Sequence, residues 1–279
     1  MLATLLIVFR EVLEAGLIVG IVLAATKGVV RRGLWIAGGI AGGLLGAALV
    51  AVFAGELSSL FQGSGQELFN AGVLLLAVVM LGWHNVWMAS HGRAIAREMR
   101  AVGGAVAEGR RPMTALAIVV GVAVLREGAE VVLFLYGIAG SGGTSAASML
   151  ADAWLGILGG GAMAGLIYGG LLAIPVNRLF AATSSLIALL AAGMAAQAVL
   201  FLQQGGYLET MSTPLWDSSW LLSQESIPGR MLHTLVGYSD SPDGAQLIAY
   251  AFTIAVIAIL MRLLRPNRRA TGNLSADTA

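Results

Sequence analysis

Residues 2–26, LATLLIVFREVLEAGLIVGIVLAAT, form an apolar run that is long enough to cross a lipid bilayer. The run carries Arg10, Glu11 and Glu14 near its centre. An ionisable side chain at the middle of a membrane helix costs roughly 2.5 to 3.5 kcal/mol, so these residues need compensation from elsewhere in the protein. Because the run lacks a basic start and exceeds the apolar region of a signal peptide, which is about 7 to 15 residues, we predict a retained first membrane span.

The composition indicates a membrane protein throughout. Of 279 residues, 58% are hydrophobic and only 11% are charged, whereas soluble domains carry about 25% charged residues. The charges nearly balance, with 16 Lys and Arg against 15 Asp and Glu, which argues against a nucleic-acid-binding module. The chain has no cysteine, so any bound cation must be held by oxygen, imidazole or thioether ligands.

Seven stretches are apolar and long enough to be spanning helices. We predict spans at 2–26, 34–54, 69–89, 113–138, 152–173, 184–203 and 245–264. Basic residues follow the first and seventh spans and fill the connection between the third and fourth, whereas the opposite connections are acidic. By the positive-inside rule we predict a multi-pass protein of the cytoplasmic (inner) membrane, with the N-terminus outside and the C-terminus inside.

Two of the predicted spans share a motif and run in opposite directions through the membrane. The copies are Arg10-Glu11-Val12-Leu13-Glu14 and Arg126-Glu127-Gly128-Ala129-Glu130. Three spans separate their starts, which is typical of an inverted repeat. The predicted fold class is therefore an all-α polytopic membrane protein with seven transmembrane helices, an inverted repeat of spans 1–3 and 4–6, and a seventh span. We divide the chain into a first three-helix repeat (1–100), a second, inverted three-helix repeat (101–203), an extracytoplasmic loop with interfacial helices (204–244), and the seventh span with a cytoplasmic tail (245–279).

Spans two and five each carry glycines at every fourth position: Gly38, Gly42 and Gly46 in one, and Gly161, Gly165 and Gly169 in the other. Small residues at this spacing let membrane helices approach closely. We therefore predict helix-packing faces at these two stripes.

The four glutamates of the two motifs are predicted to meet near the membrane midplane. Glu11 and Glu14 lie about 13 and 18 Å below the outer end of span one, from a rise of about 1.5 Å per residue. Glu127 and Glu130 lie about 17 and 12 Å below the outer end of span four. Because residues three apart share a helix face, each helix can turn both of its glutamates toward the other.

A multivalent cation would offset the charge of this cluster. Four glutamates with Arg10 and Arg126 sum to −2 when all are ionised. Oxygen ligands suit Fe³⁺, Mn²⁺, Mg²⁺ or Ca²⁺ and tolerate Fe²⁺. We predict that the glutamates bind the metal, and that the two arginines either tune the carboxylates or neutralise them structurally.

The doubled Arg-Glu-x-x-Glu motif resembles that of the oxidase-dependent iron permeases, the seven-span high-affinity iron transporters of fungi and bacteria. The resemblance extends to about residue 264 through Gln66-Glu67-Leu68-Phe69, Trp83, Trp87-Met88, Ala191-Ala192-Gly193, Gly237-Tyr238 and Pro242. The second motif departs from the family in Ala129, where leucine is usual, and His84-Asn85 is not part of the family pattern.

The resemblance implies inward transport of iron, as Fe³⁺ or Fe²⁺, through the four glutamates, without a permanent cofactor or an enzymatic activity. It also implies an extracytoplasmic iron oxidase or iron-delivery protein as partner, in addition to membrane lipid, and it leaves a homo-oligomer open. A permease for lead or manganese is the nearest alternative. A proton-coupled carrier of an organic cation and a membrane di-metal enzyme are further alternatives, although neither motif supplies the Glu-x-x-His unit of di-iron centres.

Six further residues are weaker candidates for the ion path or for the collection of cations outside: His84, Gln197, Glu67, Glu209, Asp217 and Glu225. His84 is expected near the cytoplasmic end of span three, where a neutral, hydrogen-bonded histidine is favoured over an ion ligand. For Gln197 in span six, hydrogen bonding between helices is the favoured interpretation.

Overall fold

A computed structural model describes residues 2–59, 66–140, 145–170 and 176–264. This part of the chain contains eight α-helices: α1 (Leu2–Ala25), α2 (Arg32–Ser59), α3 (Gln66–Ala107), α4 (Thr114–Gly140), α5 (Ala146–Tyr168), α6 (Val176–Gln204), α7 (Ile227–Val236) and α8 (Gly244–Leu263). The predicted all-α class is confirmed. The predicted cytoplasmic tail from 265 and the end of the predicted fifth span, 171–173, lie outside the described residues.

Five helices of the described chain are long and apolar enough to cross a membrane. These candidate spans are Arg32–Glu56, Glu67–Met88, Ala146–Tyr168, Ala181–Gln204 and Gly244–Leu263. The seven predicted spans also include α1 and α4, which have sufficient length but each carry the three charged residues of an Arg-Glu-x-x-Glu motif. Length and composition alone therefore support five spans.

Helix α3 is far longer than the span predicted within it. Its 42 residues extend about 63 Å at 1.5 Å per residue, roughly twice the thickness of the hydrocarbon core. The helix continues through 90–107, which we expected to be a connection, because this segment is rich in helix-favouring Ala, Arg, Glu and Met. It also passes through residue 100, the predicted end of the first repeat.

The helices pack in a pattern that is preserved when the first three are exchanged with the next three. Helix α1 packs along α5, and α4 packs along α2. Helices α3 and α6 pack against each other, as do α1 and α4, and α8 covers α6. In each half, the second helix therefore packs against the first helix of the other half.

Glycines bring pairs of helix backbones into close contact. A Cβ added at Gly156 or Gly160 of α5 would lie 2.9 or 2.5 Å from a backbone oxygen of α1. A Cβ added at Gly39 or Gly43 of α2 would lie 2.6 or 2.7 Å from a backbone oxygen of α4. At these positions the two backbones touch, and no larger residue fits without separating the helices.

The glycine stripes chosen from the sequence were wrong in register at four positions. Cβ atoms added at Gly38, Gly42, Gly161 and Gly165 would meet nothing within 4 Å, whereas one at Gly46 would lie 2.6 Å from Leu125. Neighbouring residues differ by about 100° around a helix, so an error of one position moves a predicted face well away from its partner.

The two ends of the helix bundle differ in character. Arg32 Nη1 donates to Leu23 O at 2.6 Å, and a Cβ on Gly103 would lie 2.6 Å from Ala25 Cβ. These contacts bring the basic connections 26–31 and 108–113 to the same end. The opposite connection, 205–243, contains α7. Backbone hydrogen bonds link residues within this connection; for example, Ser218 N donates to Asp240 O at 2.8 Å.

Candidate metal centre

Helices α1, α3 and α4 pack against one another and bring the two charged motifs together. Glu11 and Glu14 on α1 and Glu127 on α4 are buried, and Glu130 is partly buried. Helices α1 and α4 each turn two glutamates, three positions apart, inward from one face. The structure thus places the four glutamates predicted from the sequence in one region.

A histidine from α3 lies between the glutamates of the two motifs. His84 Nε2 is 3.7 Å from Glu11 Oε2 and 3.7 Å from Glu14 Oε2, and its Nδ1 contacts Glu130 Oε2. Glu11, His84, Glu127 and Glu130 each offer one ligand atom, and these atoms all lie within 4.8 Å of one another. We call these four side chains the metal cluster. Glu14 is outside this set, but it lies beside the His84 imidazole and pairs with Arg10.

The spacing of the metal cluster is close to that of a coordination shell. An octahedral divalent ion such as Mg²⁺ binds oxygen at about 2.0 to 2.1 Å, so ligands on opposite sides of such an ion are about 4.0 to 4.2 Å apart. The observed limit of 4.8 Å exceeds that separation by less than about 1 Å. The ligand atoms would therefore need to move together by less than about 1 Å to form a shell around an ion.

Several carboxylate oxygens in the cluster are buried without a hydrogen-bond donor. Both oxygens of Glu11 and Oε2 of Glu127 have no hydrogen-bond partner among the described residues. Buried polar atoms are nearly always paired in folded proteins, because leaving one unpaired costs about 1 to 3 kcal/mol. Unpaired carboxylate lone pairs that face one another are well suited to bind a cation.

Each arginine pairs with the glutamates of its own motif. Arg10 Nε lies 2.8 Å from Glu14 Oε1, and its Nη1 lies 3.8 Å from Glu11 Oε1. Arg126 Nε lies 3.0 Å from Glu130 Oε1 and 4.0 Å from Glu127 Oε1. The same i to i+1 and i to i+4 pattern thus recurs in both motifs.

The two arginines differ sharply in their surroundings. The Arg10 side chain is 1% exposed, whereas that of Arg126 is 33% exposed and lies over the Trp87 ring at 4.1 Å. Trp87 in turn stacks on His91 with 5.1 Å between ring centroids. The first motif is sealed inside the protein, while the second has one accessible side.

The surroundings of His84 differ in part from the expectation. His84 lies four residues before Met88, the end of the candidate span Glu67–Met88, which agrees with a position near the end of span three. It is not a helix-end residue, however, because α3 continues to Ala107, and it is buried among the glutamates. A polar His-Asn pair inside an apolar helix was the available signal, since polar residues in spans tend to face a functional interior.

Asn85, the residue after His84, links α3 to α6. Asn85 is buried, and its Nδ2 donates to Ser184 O on α6 at 2.8 Å. This hydrogen bond ties α3 to α6 one position beyond His84. It therefore helps to set the rotation of α3 that directs the imidazole toward α1 and α4.

The remaining candidate residues lie away from the metal cluster. Gln197 is half-buried on α6, and Glu67 is exposed in the first turn of α3. Three others are exposed in the connection after α6: Glu209, Asp217 and Glu225. Hydrogen bonds from Ser219 hold the pKa of Asp217 below its ordinary value, so this carboxylate is ionised at neutral pH. No metal-binding group joins these residues within the described part of the chain.

Comparison with known proteins relates this chain to iron permeases. The profile described as the Iron permease FTR1 family matches residues 1–265. Proteins named Ferrous iron permease EfeU from Shigella sonnei (strain Ss046) and Escherichia coli O157:H7 are each 32% identical over 286 residues, covering 99% of this chain and 100% of the relative. The protein of that name from Yersinia pestis is 29% identical over 280 residues, covering 99% and 98%. No solved structure matches the chain.

Proposed function

This chain belongs to the iron permease FTR1 family, and from that premise we propose that it carries iron inward across the cytoplasmic membrane through the four motif glutamates and His84. It is a membrane permease rather than an enzyme, as its relatives are. The observation that carries the proposed route is the buried metal cluster between α1, α3 and α4, with carboxylate oxygens that lack hydrogen-bond donors.

The proposed transported species is Fe²⁺. The relatives that align over nearly the whole chain are named ferrous iron permeases. The formal charge of the two motifs, −2 from four glutamates and two arginines, matches the charge of a divalent cation. The extracytoplasmic oxidase or delivery partner, and the homo-oligomer, remain predictions from the family resemblance.

We further propose seven membrane spans arranged as an inverted repeat. The pairing of helices is the same when α1–α3 are interchanged with α4–α6, and this symmetry supports the repeat. Helices α1 and α4 count as spans in this proposal because the arginine of each motif pairs with a glutamate of the same motif, which compensates part of their charge. Helix α7, with only 10 residues, is too short to span a membrane.

Orientation can be tested with single cysteines, because the natural chain has none. The proposed topology places the basic connections 26–31 and 108–113 in the cytoplasm and 205–243 outside. A cysteine at Thr210 is expected to react with a membrane-impermeant maleimide in intact cells, and one at Ala107 only after permeabilisation. The unsubstituted chain serves as the background control. The reverse labelling pattern would contradict the orientation.

Transport itself can be tested with purified protein in liposomes. We expect radiolabelled Fe²⁺, supplied outside under anaerobic conditions, to enter these vesicles faster than protein-free vesicles. The same vesicles should be tested with Mn²⁺, Pb²⁺ and a small organic cation. Absence of iron uptake would overturn the proposed function; uptake of Pb²⁺ or the organic cation without iron would point to the corresponding alternative substrate.

A further inference from the structure

The metal cluster contains one nitrogen ligand among three carboxylates. His84 supplies the imidazole, and Glu11, Glu127 and Glu130 supply the oxygens. The other two histidines lie elsewhere: His91 is exposed and stacks on Trp87, and His233 approaches Tyr238 O at 2.7 Å in the outer connection. Within the described chain, the nitrogen of the proposed site therefore comes from His84.

A nitrogen ligand changes which ions a carboxylate site prefers. Mg²⁺ and Ca²⁺ take oxygen ligands; Mg²⁺ retains several waters in an octahedral shell, and Ca²⁺ takes about six to eight oxygens. Imidazole suits divalent first-row transition metals, whose affinity for nitrogen donors exceeds that of the hard ions. Four carboxylates alone would give a site without this discrimination.

We propose that His84 is a direct metal ligand and the residue that makes the site select Fe²⁺ against Mg²⁺ and Ca²⁺. This proposal rests on the proposed function and deepens it by assigning the selectivity to one side chain. The imidazole is buried, reaches carboxylates from both motifs, and lies one residue from the Asn85 anchor on α6. A ligand held at this rotation can bind an ion shared by α1 and α4.

A structural role for His84 makes a different prediction. The imidazole contacts Glu130 and could serve only to hold that carboxylate in place. Loss of a purely structural contact would weaken the binding of every cation to a similar extent. Loss of a nitrogen ligand would weaken the binding of Fe²⁺ far more than that of Mg²⁺.

Equilibrium binding of Fe²⁺ and Mg²⁺ to purified protein, measured anaerobically, separates these two roles. In His84→Gln we expect the affinity for Fe²⁺ relative to Mg²⁺ to fall by about tenfold or more, since even outer-shell partners of ligands contribute 10- to 100-fold to metal affinity. His91→Gln, on the same helix and exposed, is the matched control and should keep the wild-type ratio. An unchanged ratio in His84→Gln would overturn the proposal.

A spectroscopic measurement on the unsubstituted protein covers the case in which His84→Gln does not fold. Pulsed electron paramagnetic resonance of bound Mn²⁺, with ¹⁵N-labelled histidine, is expected to detect one directly bonded nitrogen. Bound Mn²⁺ without nitrogen coupling would contradict ligation by His84. Failure of iron uptake by the liposomes would overturn the proposed function, whereas intact uptake with unchanged selectivity would overturn only the role of His84.

Discussion

Replacing Glu11 by glutamine is expected to lower iron uptake by at least about a hundredfold, because removing a ligand should exceed the 10- to 100-fold effect of losing its outer-shell partners. Glutamine keeps the size of the side chain but loses the charge and the strength of a carboxylate ligand. Both oxygens of Glu11 are buried without a hydrogen-bond donor, so their negative charge is available to an ion. The measurement is uptake of radiolabelled iron per amount of protein in the membrane.

Glu127→Gln should produce the same loss, because Glu127 Oε2 is also buried without a donor. Glu108→Gln is the matched control: its side chain is 60% exposed and pairs with Arg110 on the surface, so uptake should be unchanged. Near-normal uptake by Glu11→Gln or Glu127→Gln, at normal abundance, would remove the metal cluster from the transport route.

Replacing Gly160 by valine is expected to reduce the amount of folded protein several-fold, since overpacking typically costs about 1 to 3 kcal/mol and such losses change abundance. A Cβ at this position would lie 2.5 Å from Phe9 O, 3.1 Å from Val12 Cβ and 3.2 Å from Leu13 N. The clash falls on the segment of α1 that carries the first charged motif. Abundance in membranes and the temperature of unfolding in detergent are the measurements.

The neighbouring glycine provides a matched control for this substitution. A Cβ on Gly161 would meet nothing within 4 Å, so Gly161→Val should leave abundance and the unfolding temperature nearly unchanged. Both variants place the same side chain in the same helix, one residue apart. Equal effects of the two substitutions would show that intrinsic helix propensity, rather than the contact between α1 and α5, explains any loss.

Much of the helical architecture could be predicted from apolar run length alone. The predicted first and seventh spans, 2–26 and 245–264, match α1 and α8 to within one residue at each end. Both runs are followed by a basic residue, Lys27 or Arg265, so length and composition suffice there. Counting the rise per residue from the outer ends also predicted that the motif glutamates lie at one level, and the structure brings them together.

The features that depend on how helices contact one another were not available from the sequence. His84 was predicted to be a helix-end residue because the apolar run ends soon after it, whereas α3 continues to Ala107 and the packing of α3 against α1 and α4 places the imidazole among the glutamates. Four of the predicted packing glycines were wrong because the rotation of each helix is set by its partner. The equal spacing of the two motifs likewise gave no sign that Arg10 is buried and Arg126 is accessible.

The position of bound iron tests the central claim most directly. Crystals of the protein grown with Fe²⁺ would show iron as a peak in an anomalous difference map collected at the iron absorption edge. We predict a strong peak enclosed by Glu11, His84, Glu127 and Glu130, within bonding distance of at least three of them. Iron peaks confined to the outer connection 205–243, with none in the metal cluster at saturating iron, would contradict the account.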